Sequence, residues 1–140
     1  YGAPGKEEAQ QRVRAQRLAT LKQEGIAAMA AKADQRLLSA NACELSRQWV
    51  RWNMGRLNAS GYAQAVELLC GADLLADLPP AMPVHVACGA EDVVTTPESC
   101  TQVAARCGVP LELLASAGHA SYVEQPWTVA ALLLREANKA

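Results

Sequence analysis

What constrains this chain most is the stretch after Pro83, where short apolar runs alternate with helices. Residues 84–88, Val84-His85-Val86-Ala87-Cys88, lie between Pro83 and Gly89 and read as a strand buried on both faces. Thr96 and Pro97 then have the residue types of an N-cap and a first helical position, and Gly108 ends the helix they open after about Cys107. Residues 111–115 form a second apolar run. Pro126 opens a last helix that carries Val129, Leu132 and Leu133 and ends near Asn138. Strand, helix, strand, helix is the order of a parallel α/β sheet. Two parallel strands are too few, because parallel sheets are covered on both faces and a two-stranded sheet is marginal in water. The run therefore reads as the end of a larger sheet whose other strands lie outside these 140 residues.

Before Pro79 the pattern is helical. Residues 7–22 are charged and helix-forming, with Val13, Leu18 and Leu21 on a loose stripe and the charges on a solvated face. Gly25 interrupts, and residues 26–38 resume with Ile26, Met29, Ala30, Ala33 and Leu37 at helical spacing. A third helix is expected over 43–57, with Leu45, Trp49 and Trp52 in one stripe. A fourth is expected over 61–70, capped by Ser60 and ended by Gly71.

Composition removes several classes. Thirteen basic and fourteen acidic residues give a net charge of −1, without the cationic surplus that phosphate binding requires. No apolar run approaches the roughly 18–20 residues of a membrane span. Five cysteines, with no Cys-x-x-Cys pair and only two histidines, do not make a zinc site. Cys100 and Cys107 would sit about 10 Å apart along a helix, too far for a disulfide. Reduced cysteines packing as small apolar residues fit a cytoplasmic protein, and the N-terminal residues lack a signal-peptide layout.

Two loops carry the chemistry. Gly89-Ala90-Glu91-Asp92-Val93-Val94-Thr95-Thr96-Pro97 follows the first strand, and Ala117-Gly118-His119-Ala120-Ser121-Tyr122-Val123-Glu124-Gln125-Pro126 follows the second. Ligands of open α/β sheets gather beyond the carboxyl ends of the strands, so adjacent parallel strands would place Asp92 beside His119. A carboxylate that fixes and stabilises an imidazole leaves its other nitrogen free to deprotonate a nucleophile. Acid before histidine matches the chain order of α/β-hydrolases. Glu91 is the alternative acid, while His85, between two valines, reads as a hydrogen-bonded core residue. The nucleophile is missing: none of Ser39, Ser46, Ser60, Ser99, Ser116 and Ser121 lies in Gly-x-Ser-x-Gly, and no cysteine lies in the equivalent frame.

Gly89-x-x-Asp92 with Thr96-Pro97-Glu98, and Ala117-Gly118-His119 with Val123-Glu124-Gln125-Pro126, resemble the acid and histidine loops of the α/β-hydrolases. Arg17-Leu18-Ala19-Thr20, the segment Glu24-Gly25-Ile26-Ala27-Ala28-Met29-Ala30, Gly61-Tyr62 and Asp73-Leu74 are similar to the lid of the 3-oxoadipate enol-lactonase-like group. The resemblance implies an α/β fold with a helical lid over 1–78 and the last two parallel strands of the core over 79–140. It implies an ester or lactone hydrolase with no cofactor and no metal. In it a serine attacks, His119 is base and then acid, and Asp92 orients His119. It also places Tyr1 where such a chain leaves the first half of the sheet. A companion chain carrying Gly-x-Ser-x-Gly is thus the expected partner, with a small ester or lactone as substrate and neither nucleic acid nor membrane. Trp49 and Trp52 either pack the lid or wall the substrate. In the second case an arginine among Arg47, Arg51 and Arg56, here Arg51, would take a substrate carboxylate. A carbon–carbon bond hydrolase, a cofactor-free perhydrolase, or a non-catalytic protein on a hydrolase scaffold are the alternatives.

Overall fold

A computed structural model describes residues 6–139; the expectation attached to Tyr1 lies outside them. The elements are α1 (Lys6–Ala31), α2 (Ala33–Leu37), α3 (Glu44–Gly55), α4 (Ala59–Gly71), α5 (Leu74–Asp77), β1 (Val86–Gly89), α6 (Pro97–Cys107), β2 (Leu111–Leu114), α7 (Ser121–Glu124) and α8 (Pro126–Ala137).

The helical half builds a cap. Gly25, at φ 74° and ψ 173°, breaks α1 where the sequence is interrupted; a side chain there would be strained. α1 packs on α3 and α4, and α2 packs on α3. The interior of this cap is tied by a buried ion pair. Asp34 is 2% exposed and receives Arg51 Nε at 2.8 Å and Arg51 Nη2 at 2.7 Å, with Arg47 Nη1 at 3.4 Å. The fork-on-carboxylate geometry satisfies both oxygens, as a buried charge requires. The hydrogen bond from Arg51 outweighs burial and holds the Asp34 carboxyl below its ordinary value.

Local signals account for most boundaries. Thr96 caps α6 through Ser99 N at 3.4 Å, Pro97 opens it, and Gly108 closes it at φ 68°. α4 starts earlier than expected. Asn58, not Ser60, is its N-cap, taking Ser60 N at 2.9 Å and Gly61 N at 3.1 Å, and Ser60 itself donates its hydroxyl to Asn58. The single-turn helices α5 and α7 were not expected, since one turn leaves no periodicity in a sequence.

β1 and β2 pair in parallel, with Val86 opposite Leu111 and Gly89 opposite Leu114. β1 begins two residues later than the apolar run suggests, so His85 precedes it. The His85 ring sits between carboxylates, 3.0 Å from Glu112 and 3.6 Å from Glu136. The Glu112 contact is short, but its angle is not that of a hydrogen bond, so the buried Nε2 has no hydrogen-bond partner among the described residues. Among those residues the sheet has two strands and both outer edges are open. Cys88 and Leu114 are buried, but Ala87 is exposed and Leu113 is 51% exposed, so burial on both faces is not achieved by these residues alone. The apolar core instead joins the cap to the loop after β2: Ala33, Leu38 and Val50 pack with Ala120, and Val123 packs against them. Among the described residues, no helix is long and apolar enough to cross a membrane.

Candidate active site

The loop after β1 folds back on the end of the sheet. Ala90 N donates to Leu114 O at 2.9 Å, Glu91 N to Ala117 O at 2.9 Å, and Asp92 N to Gly89 O at 3.1 Å. This turns the Asp92 side chain inward, where it is 4% exposed. One carboxylate oxygen accepts from Val94 N at 2.7 Å and Thr95 N at 2.9 Å, an Asx-type turn. The other accepts from the Thr95 hydroxyl at 2.7 Å and lies 2.9 Å from His119 Nδ1. Burial pushes the Asp92 carboxyl up, but the hydrogen bonds from Thr95, His119 and the two amides outweigh it and hold the group below its ordinary value.

The same network sets the tautomer of His119. The Thr95 hydroxyl, 3.2 Å from Nδ1, has one proton and gives it to Asp92. The Nδ1 proton therefore faces the carboxylate, and Nε2 is left as the basic nitrogen. Nε2 makes no hydrogen bond among the described residues, and the side chain is 37% exposed.

Two glycines let the pieces close together. A Cβ on Gly89 would lie 2.8 Å from Ala117 C, and one on Gly118 would lie 2.6 Å from Leu38 C. Backbone therefore meets backbone where the acid loop, the histidine loop and the cap converge. Glu124 fastens that junction. One of its oxygens accepts from Ser39 N at 2.9 Å and from the Ser39 hydroxyl at 2.5 Å, and the other accepts from Gly118 N at 2.7 Å. Ala120 N adds a bond to Leu37 O at 2.8 Å.

His119 opens onto a cavity of about 380 Å³ roofed by the cap, whose lining includes Arg17, Met29, Arg36, Met54 and Tyr62. Lys32 on its wall is paired with Glu24 at 2.8 Å. Arg17 and Arg36 have no ion-pair partner among the described residues.

The structure thus brings Asp92 and His119 together. Glu91 faces the cap, accepting from Ala40 N at 3.1 Å. Trp49, Trp52 and Arg51 are not in the lining of the cavity beside His119. Trp49 lines an apolar groove with Leu45 and Tyr122, Trp52 is exposed with the Arg56 guanidinium 4.6 Å over its ring, and Arg51 is held by Asp34. Sequence reasoning missed Thr95, Glu124, Arg17 and Arg36. The signal for Thr95 was its place three residues after Asp92, the spacing at which a hydroxyl closes a turn; no comparable signal marks the arginines. Among the described residues, no group of three or more His, Cys, Asp or Glu side chains is placed to hold a metal ion. A serine hydroxyl does not reach His119 among them either.

A helical lid over two parallel strands of an unclosed sheet, with acid and histidine loops at one end, is the architecture of an incomplete α/β-hydrolase core. Comparison with solved structures gives the same fold. A thermophilic esterase from Thermogutta terrifontis, solved with malate bound, superposes with a TM-score of 0.72 at 22% identity, over 99% of this chain and 52% of the esterase. An enol-lactonase from Burkholderia xenovorans LB400 superposes with a TM-score of 0.80 at 24% identity, over 89% of this chain and 49% of the lactonase. The chain thus spans about half the length of the structures it matches. No protein-family model and no curated protein sequence matches it.

Proposed function

We propose that this chain supplies the lid, the acid and the general base of a serine hydrolase that cleaves a carboxylic ester or enol-lactone. The nucleophilic serine comes from a companion polypeptide carrying Gly-x-Ser-x-Gly. The observation that carries the reading is the Asp92–His119 bond of 2.9 Å, with the basic nitrogen left free and the imidazole opening onto the cavity. The unclosed sheet and the half-length match support the need for a companion.

In this mechanism His119 Nε2 takes the serine proton as the serine oxygen attacks the carbonyl carbon. Asp92 stabilises the imidazolium without accepting its proton. Backbone amides of the companion hold the oxyanion. As the tetrahedral intermediate collapses, His119 returns the proton to the leaving alkoxide. The same cycle with water as nucleophile then releases the acid.

Arg17 and Arg36 fit a second carboxylate on the substrate, because they are cationic, in the cavity and without an ion-pair partner among the described residues. Arg51 is committed to Asp34. Trp49 faces a separate groove with Leu45 and Tyr122 and Trp52 is exposed, so neither is given a substrate contact in this cavity. The enzymatic names of the two superposed proteins favour ester and lactone substrates over the carbon–carbon bond and perhydrolase alternatives.

The test is turnover of a carboxylated enol-lactone, a neutral aryl ester and a dienone by the protein purified with its companion. Turnover of the first with KM raised about tenfold or more by Arg36→Ala, and the neutral ester unaffected, is the expected result. Turnover of the dienone alone would contradict the reading.

A further inference from the structure

Two cysteines meet beside the acid loop. Cys88 is buried near the end of β1, next to Gly89, and Cys100 is half-buried in the first turns of α6. Both sulfurs face the same carbonyl: Cys88 Sγ lies 3.3 Å, and Cys100 Sγ 3.5 Å, from Thr95 O, with Gly89 O a second acceptor for Cys88 at 3.2 Å. Burial first, and then the neighbouring Cys100 thiol, push the Cys88 thiol up to about 12. Thr95 is the residue whose amide and hydroxyl hold Asp92 and whose hydroxyl approaches His119. The thiol pair therefore grips the backbone of the group that positions the acid.

We propose that Cys88 and Cys100 are a redox-active pair that closes to a disulfide with an oxidised low-molecular-weight thiol, and that closure loosens Asp92 from His119. The Cys100 thiolate, the more accessible of the two, attacks the small disulfide and expels one thiolate, leaving a mixed disulfide on Cys100. The Cys88 thiolate then attacks the Cys100 sulfur and expels the second. The pair loses two electrons and two protons, and the small disulfide is reduced to two thiols. Closure draws the sulfurs to about 2.05 Å and removes both thiol protons from beside Thr95 O. The first turn of α6 must then shift against β1, and the Thr95 hydroxyl and amide shift with it. The high Cys88 value makes the second step slow near neutral pH. This inference concerns the Asp92–His119 geometry and holds whether or not the chain acts as a hydrolase.

The experiment incubates the protein with oxidised glutathione, alkylates the remaining thiols and cleaves after glutamate; Glu91 and Glu98 separate the two cysteines. The His119 ring resonances are followed by NMR on the same samples. Expected are a Cys88–Cys100 linked peptide, alkylation of Cys43, Cys70 and Cys107, and a His119 shift that dithiothreitol reverses. Cys100→Ser, which keeps a donor near Thr95 O, should give neither link nor shift. Glutathionylation without a link, a different pairing, loss of the folded spectrum on oxidation, or a link that leaves His119 unmoved would each overturn the proposal.

Discussion

The residue that organises this site is Asp92, and its work depends on a neighbour the sequence did not single out. The meeting of Asp92 with His119 was legible because each follows one of two adjacent parallel strands, which puts both loops at the same end of the sheet. Thr95 looked like an ordinary loop residue, and only the folded turn shows its hydroxyl shared between carboxylate and imidazole. Thr95→Val in the assembled enzyme should lower kcat about tenfold with little change in KM, since a hydrogen bond to a charged group contributes about 1.5 kcal/mol or more. Steady-state kinetics of the variant check this. Asp34 is the second buried carboxylate, and here sequence reading misassigned the partner: Arg51 was expected at the substrate and instead pairs with Asp34. Asp34→Ala should cost about 1–3 kcal/mol in a denaturant titration, at the low end because Arg47 and Arg51 can reach water once freed. Both carboxyls are held below their ordinary value in the folded chain. Their stabilisation is therefore complete above the unfolded aspartate value, about 3.9, and is lost as pH falls through the lower folded values. Acid unfolding should begin below about pH 4, and Asp34→Ala should flatten that limb.

Among the elements, α6 was readable because its signals are local: Thr96, Pro97 and Gly108 act within their own turns. The start of α4 was not. Asn58 and Ser60 are both good caps, and the choice depends on which one reaches the first free amides. β1 is shorter than its apolar run because pairing with Leu111 begins only at Val86. The junction of cap, acid loop and histidine loop was invisible in sequence, because its closest approaches are at Gly89 and Gly118, which have no side chain, and Glu124 ties it to Ser39 from far along the chain. Gly118→Ala would push a methyl into the Leu38–Ser39 backbone, which cannot yield as a side chain does. The expected cost is about 1–3 kcal/mol, together with a changed environment for His119, read by thermal unfolding and by the His119 ring resonances. A Gly118→Ala protein with unaltered stability and resonances would show that the close approach is not needed.

At the scale of the molecule, the described residues have the fold of part of an α/β-hydrolase core, and their surface is consistent with that. Leu113 in the sheet and Leu133, Leu134 and Trp127 on α8 are exposed, Trp127 by 86%. The sequence made the incompleteness legible through two parallel strands and no serine elbow, but it did not show how firmly the cap is tied to the histidine loop. That coupling, through Ala33, Leu38, Val50 and Ala120, holds the cap against the loop that carries His119 within the described residues themselves. A preorganised acid and base should therefore activate a serine supplied from outside these residues. The deciding quantity is the rate at which a fluorophosphonate labels the protein purified with its companion, for wild type and His119→Ala. Labelling of a Gly-x-Ser-x-Gly serine on the companion, slowed about 100-fold or more by His119→Ala, is the expected result. An unlabelled preparation, or a rate unchanged by His119→Ala, would contradict the assignment of Asp92 and His119 to a shared catalytic triad.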